Sequence, residues 1–406
     1  MQTLFYIGII FVLGALMEWL SPKMHVPKVV GYLFLGLMIG PEVLNIIPRS
    51  FIQETNIIID LSLSLIAVLV GANLKYTTLK EMGKQILAIT FFEASFAFLF
   101  VTIGFFLLSE WLGFSPEQGL IIAVLFGGLA SATAPAATIA VVRECRAKGR
   151  FTTTLLAVVA SDDALALIFF TFALTLGGIF AGNGDFSIAT LYDMLKIIIL
   201  SAAVGSVGAI ISVLIDKLFA HHKGMETIST IGMIFIVYTL SVYWELEPLF
   251  ATLIMGAVMV NLSTDFDLVE EEIDDHLEEI IFMLFFILSA IHLDLESLTT
   301  VPFVILTYTL LRLLGKMSGA WMGAKLSHAD KTVQDYLGLG LFPQAGVAIG
   351  LALSLQHEAG FESIAPMILN VIIAATIVHE FIGPILTEYV LRKSGECRED
   401  YFLSKD

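Results

Sequence analysis

The fold is decided by the stretch LLAVVASDDALALIFFTFAL, residues 155–174, in which two adjacent aspartates, Asp162 and Asp163, interrupt a run of apolar residues. A helix of about 20 such residues is long enough to cross the hydrocarbon core of a bilayer. A carboxylate at that depth is costly unless it faces an internal cavity or a partner. The stretch therefore predicts a membrane-spanning helix that carries part of an ion or proton pathway.

The composition is typical of a polytopic membrane protein. Of the 406 residues, 57% are apolar and 15% are charged, and the mean hydropathy is +0.90. These values argue against a soluble enzyme and against a nucleic-acid partner. The two cysteines, Cys145 and Cys397, offer neither a disulfide framework nor the spacing of a metal site, so we expect reduced thiols and no cofactor.

Apolar stretches of about 18 residues or more predict roughly thirteen transmembrane helices. The expected fold class is therefore an all-α polytopic membrane protein. The predicted spans are 3–20, 28–45, 56–74, 84–109, 117–142, 150–180, 192–217, 225–244, 246–262, 276–293, 299–326, 334–357 and 363–391.

The distribution of lysine and arginine tests this assignment, because cytoplasmic loops are enriched in both residues. Of the 21 lysines and arginines, 17 follow odd-numbered spans or belong to the C-terminal segment, and only Arg49 lies on the opposite side. The other three, Lys196, Arg312 and Lys316, lie inside spans. We therefore expect an outside N-terminus and a cytoplasmic C-terminus. The expected location is a bacterial inner membrane.

Spans one to six and eight to thirteen form two six-helix halves of opposite orientation, the inverted repeat common in secondary transporters. The fifth span of each half contains helix-breaking residues. They are Ala134 and Pro135 in the first half, and Pro343 and Gly346 in the second. Breaks at corresponding places in two repeats point to a transporter binding site.

A layer of polar groups lies near the predicted middle of the membrane. With a rise of about 1.5 Å per residue, Asp162 lies roughly 18 Å from Arg150, and Lys316 lies roughly 14 Å from Lys325. Two bases partly offset the four carboxylates of this layer, and pairing lowers the cost of burying them. We predict that Arg312 pairs with Glu93 or Glu380. The other members of the layer are Asp163, Thr133 and Pro343.

The adjacent aspartates have different expected roles. Neighbouring residues on a helix point about 100° apart, so Asp162 and Asp163 cannot both face one partner. One acid is expected to pair with a base while the other stays open to ion and water. Carbonyl groups freed by a helix break, a carboxylate and the Thr133 oxygens together suit a hard cation such as Na⁺ or Li⁺.

Seven strings along the chain resemble those of the monovalent cation/proton antiporter superfamily, and most closely its paired-aspartate bacterial sodium/proton antiporters. Together they span essentially the whole chain. The strings are GYLFLGLMIGP (31–41), LSLSLIAVLVGANL (61–74), SATAPA (131–136), SDDALAL (161–167), FFILSAIHLDL (285–295), RLLGKMSGA (312–320) and FPQAGVAIGLAL (342–353).

The resemblance implies a membrane-embedded homodimer in which a core domain moves against a dimerisation domain, with two broken helices crossing beside the aspartates. The implied divisions are dimerisation-domain helices in 1–75 and 225–293, core-domain helices in 84–180 and 299–391, a linker helix at 192–217 and a short cytoplasmic tail at 392–406.

By position, Asp163 matches the essential cation- and proton-binding aspartate, Asp162 the companion acid and Lys316 the ion-pair partner. The implied function is Na⁺ (or Li⁺) exchange for H⁺ by alternating access. Paired acids with a lysine resemble the electrogenic members. Relatives often carry an acid where this chain has Ala134, so the first break is expected to be less charged than theirs.

Two other functions stay open at this point. A K⁺/H⁺ antiporter or gated K⁺ efflux system would share the same architecture. A membrane-embedded hydrolase could use the two aspartates as an acid/base dyad, but that function would leave Lys316 and the two helix breaks unexplained.

Overall fold

The computed structural model describes residues 2–24, 26–72, 74, 76–180, 188–218, 225–263, 277–291, 301–355, 360–361 and 363–397. Within these residues the regular structure is entirely helical, as predicted. Proline is the first residue of several helices, where its missing N–H needs no partner. The α-helices are α1 (Gln2–Leu20), α2 (Lys28–Ile39), α3 (Arg49–Ala72), α4 (Tyr76–Leu108), α5 (Pro116–Ala130), α6 (Pro135–Glu144), α7 (Arg150–Phe180), α8 (Ile188–Leu218), α9 (Met225–Tyr243), α10 (Pro248–Leu262), α11 (Glu278–Ile291), α12 (Pro302–Leu326), α13 (Lys331–Gly340), α14 (Gly346–Ser354) and α15 (Ala365–Lys393).

Each predicted span overlaps one helix or a pair of shorter helices, although some bounds differ: the second span was predicted to end at residue 45, but α2 ends at Ile39. By length and composition alone, seven stretches of the described chain could cross a membrane, and four shorter apolar helices accompany them. Helix α12, which carries Arg312 and Lys316 in its interior, is neither one of the seven stretches nor one of the four shorter helices. The seven stretches are Leu4–Met24, Met82–Leu108, Gln118–Glu144, Arg150–Phe180, Lys196–Lys217, Met225–Tyr243 and Ala365–Lys393.

The two predicted helix breaks are present, in the fifth and twelfth predicted spans. Residues 131–134 separate α5 from α6, and residues 341–345 separate α13 from α14. Ala134 and Pro343 lie inside the unwound segments. Pro135 and Gly346 instead begin the helices that follow, so each marks the end of a break.

The chain divides into two compact units. The first contains Met1–Glu81 and Leu195–His292, and the second contains Met82–Met194 and Leu293–Asp406. The first unit is held together largely by α3 against α10. A Cβ atom at Gly71 would overlap the carbonyl oxygen of Leu253, and one at Gly256 would overlap that of Val68. Small residues at such a contact let two helix backbones approach closely. The assignment of this unit as a dimerisation domain stays a prediction.

The second unit contains both helix breaks and the predicted site residues. Its apolar core is built from α4, α5, α7, α12, α14 and α15, with fully buried side chains such as Phe126, Tyr308 and Ile372. Tyr308 stacks at a tilt against Phe126, with ring centroids 5.5 Å apart. This core fixes the helices that carry the polar groups at the breaks.

Within the second unit, residues after α15 fold back to cap the helix that carries the aspartates. The Glu396 carboxylate accepts hydrogen bonds from Phe151 N at 2.9 Å, Thr152 N at 2.8 Å and Thr152 Oγ1 at 2.7 Å. These amides belong to the first turn of α7, where backbone N–H groups have no partner within the helix and negative charge is favoured. Glu396 therefore stabilises the start of α7.

Next to this cap, Cys145 follows the end of α6, and Cys397 follows Glu396. Both are free thiols. A hydrogen bond that Cys145 donates to Cys397, together with burial, raises the pKa of the Cys145 thiol above its ordinary range. Because the thiolate is the reactive form, Cys145 is expected to be chemically inert.

We expect Glu396→Ala to lower the free energy of unfolding by about 1–2 kcal/mol, because three donors at the start of α7 lose their acceptor. Thermal unfolding of the purified protein in detergent measures this. The control is Glu388→Ala, which removes a pair to Arg392 at 2.7 Å within one helix and should cost only about 0.3–0.5 kcal/mol. Equal losses in the two variants would contradict the assigned role of the cap.

Candidate ion-binding site

Asp162 is completely buried on α7 and lies beside the first helix break. Its Oδ2 atom is 2.8 Å from Lys316 Nζ. The hydroxyl group of Thr133, in the unwound segment 131–134, accepts a hydrogen bond from Lys316 Nζ at 2.8 Å and donates one to Asp162 Oδ2. The predicted association of Asp162, Thr133 and Lys316 is therefore found in the structure.

Lys316 has a second carboxylate partner, Glu93 on α4. Its Nζ atom lies 2.6 Å from Glu93 Oε2, and both side chains are fully buried. An ammonium group has three N–H bonds. Those of Lys316 point to Asp162, to Thr133 and to the carbonyl oxygen of Ser131 at 2.5 Å. The contact with Glu93 is therefore an ion pair without a directed hydrogen bond.

The cluster contains buried carboxylate oxygens that lack hydrogen-bond partners in the described part of the chain. They are both oxygens of Glu93 and Oδ1 of Asp162. Such atoms are costly to bury, and each of them can accept a proton or contact a cation. Two carboxylates share the ammonium group of Lys316, so the arrangement has capacity for a further positive charge.

Three glycines bring Lys316 to Glu93. Gly315, Gly319 and Gly323 repeat every four residues along one face of α12, and that face packs directly on the α4 backbone. A Cβ atom at Gly319 would lie 2.6 Å from the Cα atom of Glu93. Sequence reasoning missed this contact, although a GxxxGxxxG pattern is a known signal for close packing of membrane helices.

Arg312 does not have the predicted role. It is fully buried and, in place of the predicted pair with Glu93 or Glu380, forms no ion pair with any described residue. Its guanidinium group donates only to backbone carbonyls. The distances are 3.1 Å to Ala130 O, 2.6 Å to Ala132 O, 2.6 Å to Phe342 O and 3.4 Å to Pro343 O.

The physical reason is the geometry of the two breaks. α5 and α13 both end beside Arg312, and the last carbonyls of a helix carry a partial negative charge and have no helical donor. A planar guanidinium group with five N–H bonds can serve both helix ends at once. Glu93 is then left to Lys316, one turn further along α12.

The two breaks also bond to each other directly. The amide of Ala134 donates to the carbonyl of Pro343 at 2.9 Å. Gln344 donates through Nε2 to the carbonyl of Leu129 at 2.8 Å, and its amide also bonds to the hydroxyl group of Tyr308. Gln344 and Tyr308 are site residues that sequence reasoning missed. The only available signal was that Gln344 is polar and lies next to Pro343.

Two further predicted site residues are Asp163 and Glu380. Asp163 follows Asp162 on α7, but its side chain lies outside the described residues. Glu380 is buried on α15 beside His379, and neither residue bonds to Asp162, Lys316 or Glu93. The predicted polar layer therefore divides into the cluster around Lys316 and a separate group on α15.

A cation bound beside Asp162 and Lys316 would be held mainly by carboxylate, hydroxyl and carbonyl oxygen atoms. Among the described residues, no group of three or more histidine, cysteine, aspartate or glutamate side chains is placed to hold a metal ion. The described donors at the break are a carboxylate, a hydroxyl group and backbone carbonyls, which suit a hard monovalent cation better than a transition metal.

A comparison with protein families finds that residues 7–393 match the model described as "Sodium/hydrogen exchanger, transmembrane". The chain belongs to this family. The predicted superfamily is therefore confirmed, whereas the narrower paired-aspartate type stays a prediction.

Relatives of this exchanger-family chain cover nearly its whole length. It is 24% identical to "Probable Na(+)/H(+) antiporter GerT" of Bacillus cereus, over 89% of this chain and 94% of the relative. It is also 24% identical to "Na(+)/H(+)-K(+) antiporter GerN" of the same organism, over 91% of this chain and 93% of the relative.

A solved structure has the same fold. The sodium proton antiporter MjNhaP1 from Methanocaldococcus jannaschii aligns with a TM-score of 0.71 at 21% identity, covering 97% of this chain and 98% of that one. Together with the family match, this alignment confirms the predicted fold class and the membrane-embedded nature of the chain.

We expect Arg312→Lys to lower the free energy of unfolding by about 3 kcal/mol, although the charge is kept. A lysine cannot reach carbonyls of both breaks, and buried carbonyls would lose their donors. The midpoint of thermal unfolding in detergent measures this. The control is Lys325→Arg, which exchanges one base for another at an exposed residue near the end of α12. It should change the free energy of unfolding by less than about 0.5 kcal/mol. A normal midpoint for Arg312→Lys would show that the charge alone matters.

Proposed function

We propose that the protein exchanges Na⁺ or Li⁺ for H⁺ across a membrane by alternating access, and that the exchange is electrogenic. The observation that carries this proposal is the buried Asp162 carboxylate, held by Lys316 and Thr133 at a helix break. Family membership supports the reaction class. The relatives described above carry names of the same kind, which is further support.

Coupling follows from competition for the aspartates. A carboxylate in a low-dielectric site needs a positive partner, which can be a proton, the ammonium group of Lys316 or a cation. We propose that Asp163 binds either a cation or a proton, and that Asp162 releases Lys316 when Na⁺ arrives. Because only one of the competing ions can occupy the site, inward movement of one requires departure of the other.

Glu93 gives Lys316 an alternative partner during this step. A buried ammonium group that lost Asp162 would be left uncompensated, which costs several kcal/mol. Glu93 Oε2 already lies 2.6 Å from Nζ without a directed hydrogen bond. An N–H group released from Asp162 can therefore turn to Glu93 with little movement, so Glu93 lowers the cost of cation entry.

We propose a homodimer in contact with membrane lipid, located in a bacterial inner membrane with the C-terminus in the cytoplasm. The excess of lysine and arginine on one predicted side supports the orientation. The first unit, with α1–α3 and α9–α11, would provide the dimer contacts, and the second would carry the ion.

A K⁺/H⁺ antiporter is the alternative, and one relative's name, "Na(+)/H(+)-K(+) antiporter GerN", favours keeping it. Proteoliposomes that contain a fluorescent pH indicator can compare Na⁺, Li⁺, K⁺ and Rb⁺ as drivers of proton movement. Proton movement with Na⁺ and Li⁺ only would support the main proposal. A response to K⁺ that equals or exceeds the response to Na⁺ would support the alternative.

We expect Asp163→Asn to abolish Na⁺-dependent proton movement in these proteoliposomes, because an amide can neither bind a proton at this site nor neutralise a cation. The control is Asp335→Asn, which changes an exposed aspartate on α13 and should leave the rate unchanged. Retained exchange in Asp163→Asn would refute the assigned carrier. An imposed membrane potential that fails to drive exchange by the wild-type protein would refute the electrogenic proposal alone.

We expect Glu93→Gln to raise the KM for Na⁺ by about tenfold. In this variant Asp162 is the only carboxylate partner of Lys316, so an ammonium group released from Asp162 cannot bond to a second carboxylate. A hydrogen bond between charged groups is worth about 1.5 kcal/mol or more, which corresponds to that change in KM. Initial rates over a range of Na⁺ concentrations measure this. Glu110→Gln, at an exposed residue after α4, is the control. A lowered maximal rate with an unchanged KM would instead assign Glu93 to the transport step itself.

A further inference from the structure

A second polar group lies on α15, apart from the cluster around Lys316. Thr376, Glu380 and Thr387 are spaced by four and seven residues, so they share one face of this helix. All three are buried, and Glu380 is only 4% exposed. In the described part of the chain, the two hydroxyl groups and Glu380 Oε2 have no hydrogen-bond partner.

A proline within α15 adds a free carbonyl at the same residue. Pro384 lies inside the helix, four residues after Glu380. Because proline has no backbone N–H, it cannot bond to the carbonyl group of the residue four positions earlier. Glu380 therefore presents an unpaired carboxylate oxygen and a backbone carbonyl without its helical donor.

The polar face lies close to the second helix break. Gly383, one turn from Glu380, touches the break, since a Cβ atom there would lie 2.8 Å from Pro343 Cγ. Thr387 lies on the same face toward the end of α15 that carries Arg392 and Lys393. The face thus extends from the break toward the basic end of the helix.

Among the described residues, none forms an ion pair with Glu380. The helices that pack most closely on α15 are α6, α12, α13 and α14, and α14 has no charged or titratable side chain. None of the groups on the other three forms an ion pair or a hydrogen bond with Glu380 in the described structure. These groups are Arg143 and Glu144 on α6, Tyr308, Arg312, Lys316 and Lys325 on α12, and Lys331, Asp335 and Tyr336 on α13.

The buried bases of α12 and the base Arg392 of α15 have other partners. Lys316 is shared by Asp162 and Glu93, and Arg312 bonds to carbonyls of both breaks. On α15 itself, Arg392 pairs with Glu388. His379, beside Glu380, is completely buried, and neither ring nitrogen has a partner among the described residues.

We propose that Glu380 is a second proton-binding site of the second unit, separate from the aspartate cluster. A buried carboxylate without a counter-ion is tolerated at lowest cost in its protonated form. The step is a proton transfer only: an O–H bond forms at Oε2 when a hydronium ion gives up its proton, and the same bond breaks on release. Thr387, two turns nearer the basic end of α15, is buried on the same face.

The effect of this site on transport rests on the proposed exchange, but proton binding itself does not. Two measurements therefore test it separately. The first is infrared difference spectroscopy of the purified protein in lipid between high and low pH, which detects the C=O stretch of protonated carboxylic acids. The second is the pH dependence of Na⁺-driven proton movement in proteoliposomes.

In Glu380→Gln we expect the infrared difference spectrum to lose one carboxylic acid band. We also expect the pH dependence of exchange to become less steep, with the KM for Na⁺ at high pH unchanged. Glu388→Gln, on the same helix and paired with Arg392, should retain the band and the wild-type profile. An unchanged spectrum in Glu380→Gln would overturn the proposal, because a glutamate that only packs in the core does not titrate.

A conservative variant keeps the test decisive if Glu380→Gln does not fold. Glu380→Asp retains a carboxyl group in a different position, so its band should persist with a shifted pH midpoint, and an identical midpoint would contradict the proposal. If the wild-type protein moved no protons in response to Na⁺, the proposed exchange would fail. The infrared result would still decide whether Glu380 binds a proton.

Discussion

The ammonium group of Lys316 is the interaction on which the second unit depends. It is fully buried, it contacts two carboxylates, and its three N–H bonds reach the first helix break and the aspartate helix together. A lone charge at such a place would be prohibitively costly, and three elements must therefore stay close to it. The same group that holds α7 to the break also competes with any cation for Asp162. The attachment of α7 to the break and the charge balance of Asp162 thus depend on one side chain.

Arg312 provides the complementary constraint. Two helices that end in the interior of a protein leave carbonyl groups without donors, and in a membrane water cannot replace those donors. The guanidinium group of Arg312 donates hydrogen bonds to carbonyl groups at both helix ends, and a hydrogen bond between Ala134 and Pro343 links the two breaks. Because the N–H groups of Arg312 bond to the backbone, the carboxylates of Asp162 and Glu93 pair with Lys316 instead. The two bases on α12 therefore have different roles: Arg312 stabilises the breaks, and Lys316 neutralises the acids.

Much of this arrangement could be predicted from residues alone. Hydropathy and the Gly/Pro pattern located the helices and both breaks, because lipid permits only long apolar helices and tolerates unwound backbone only inside the protein. A shared polar layer followed from the common depth of Asp162, Thr133 and Lys316, whereas the role of Lys316 as an ion-pair partner came from the family resemblance. The partner of Arg312 could not be predicted in this way, because residue counts give depth along a helix but not its rotation toward a neighbour. The role of Asp163 as the ion carrier stays a prediction, since its side chain lies outside the described residues.

The Glu396 cap has a consequence for the preparation of this protein. A cleavage site, affinity tag or fluorescent fusion joined directly after Lys393 would displace the carboxylate that completes the first turn of α7. That helix carries the aspartate pair, so a change in ion response after such engineering would report damage at the far end of the helix rather than at the ion site. Fusions placed beyond Cys397 keep the native ending of the helix intact.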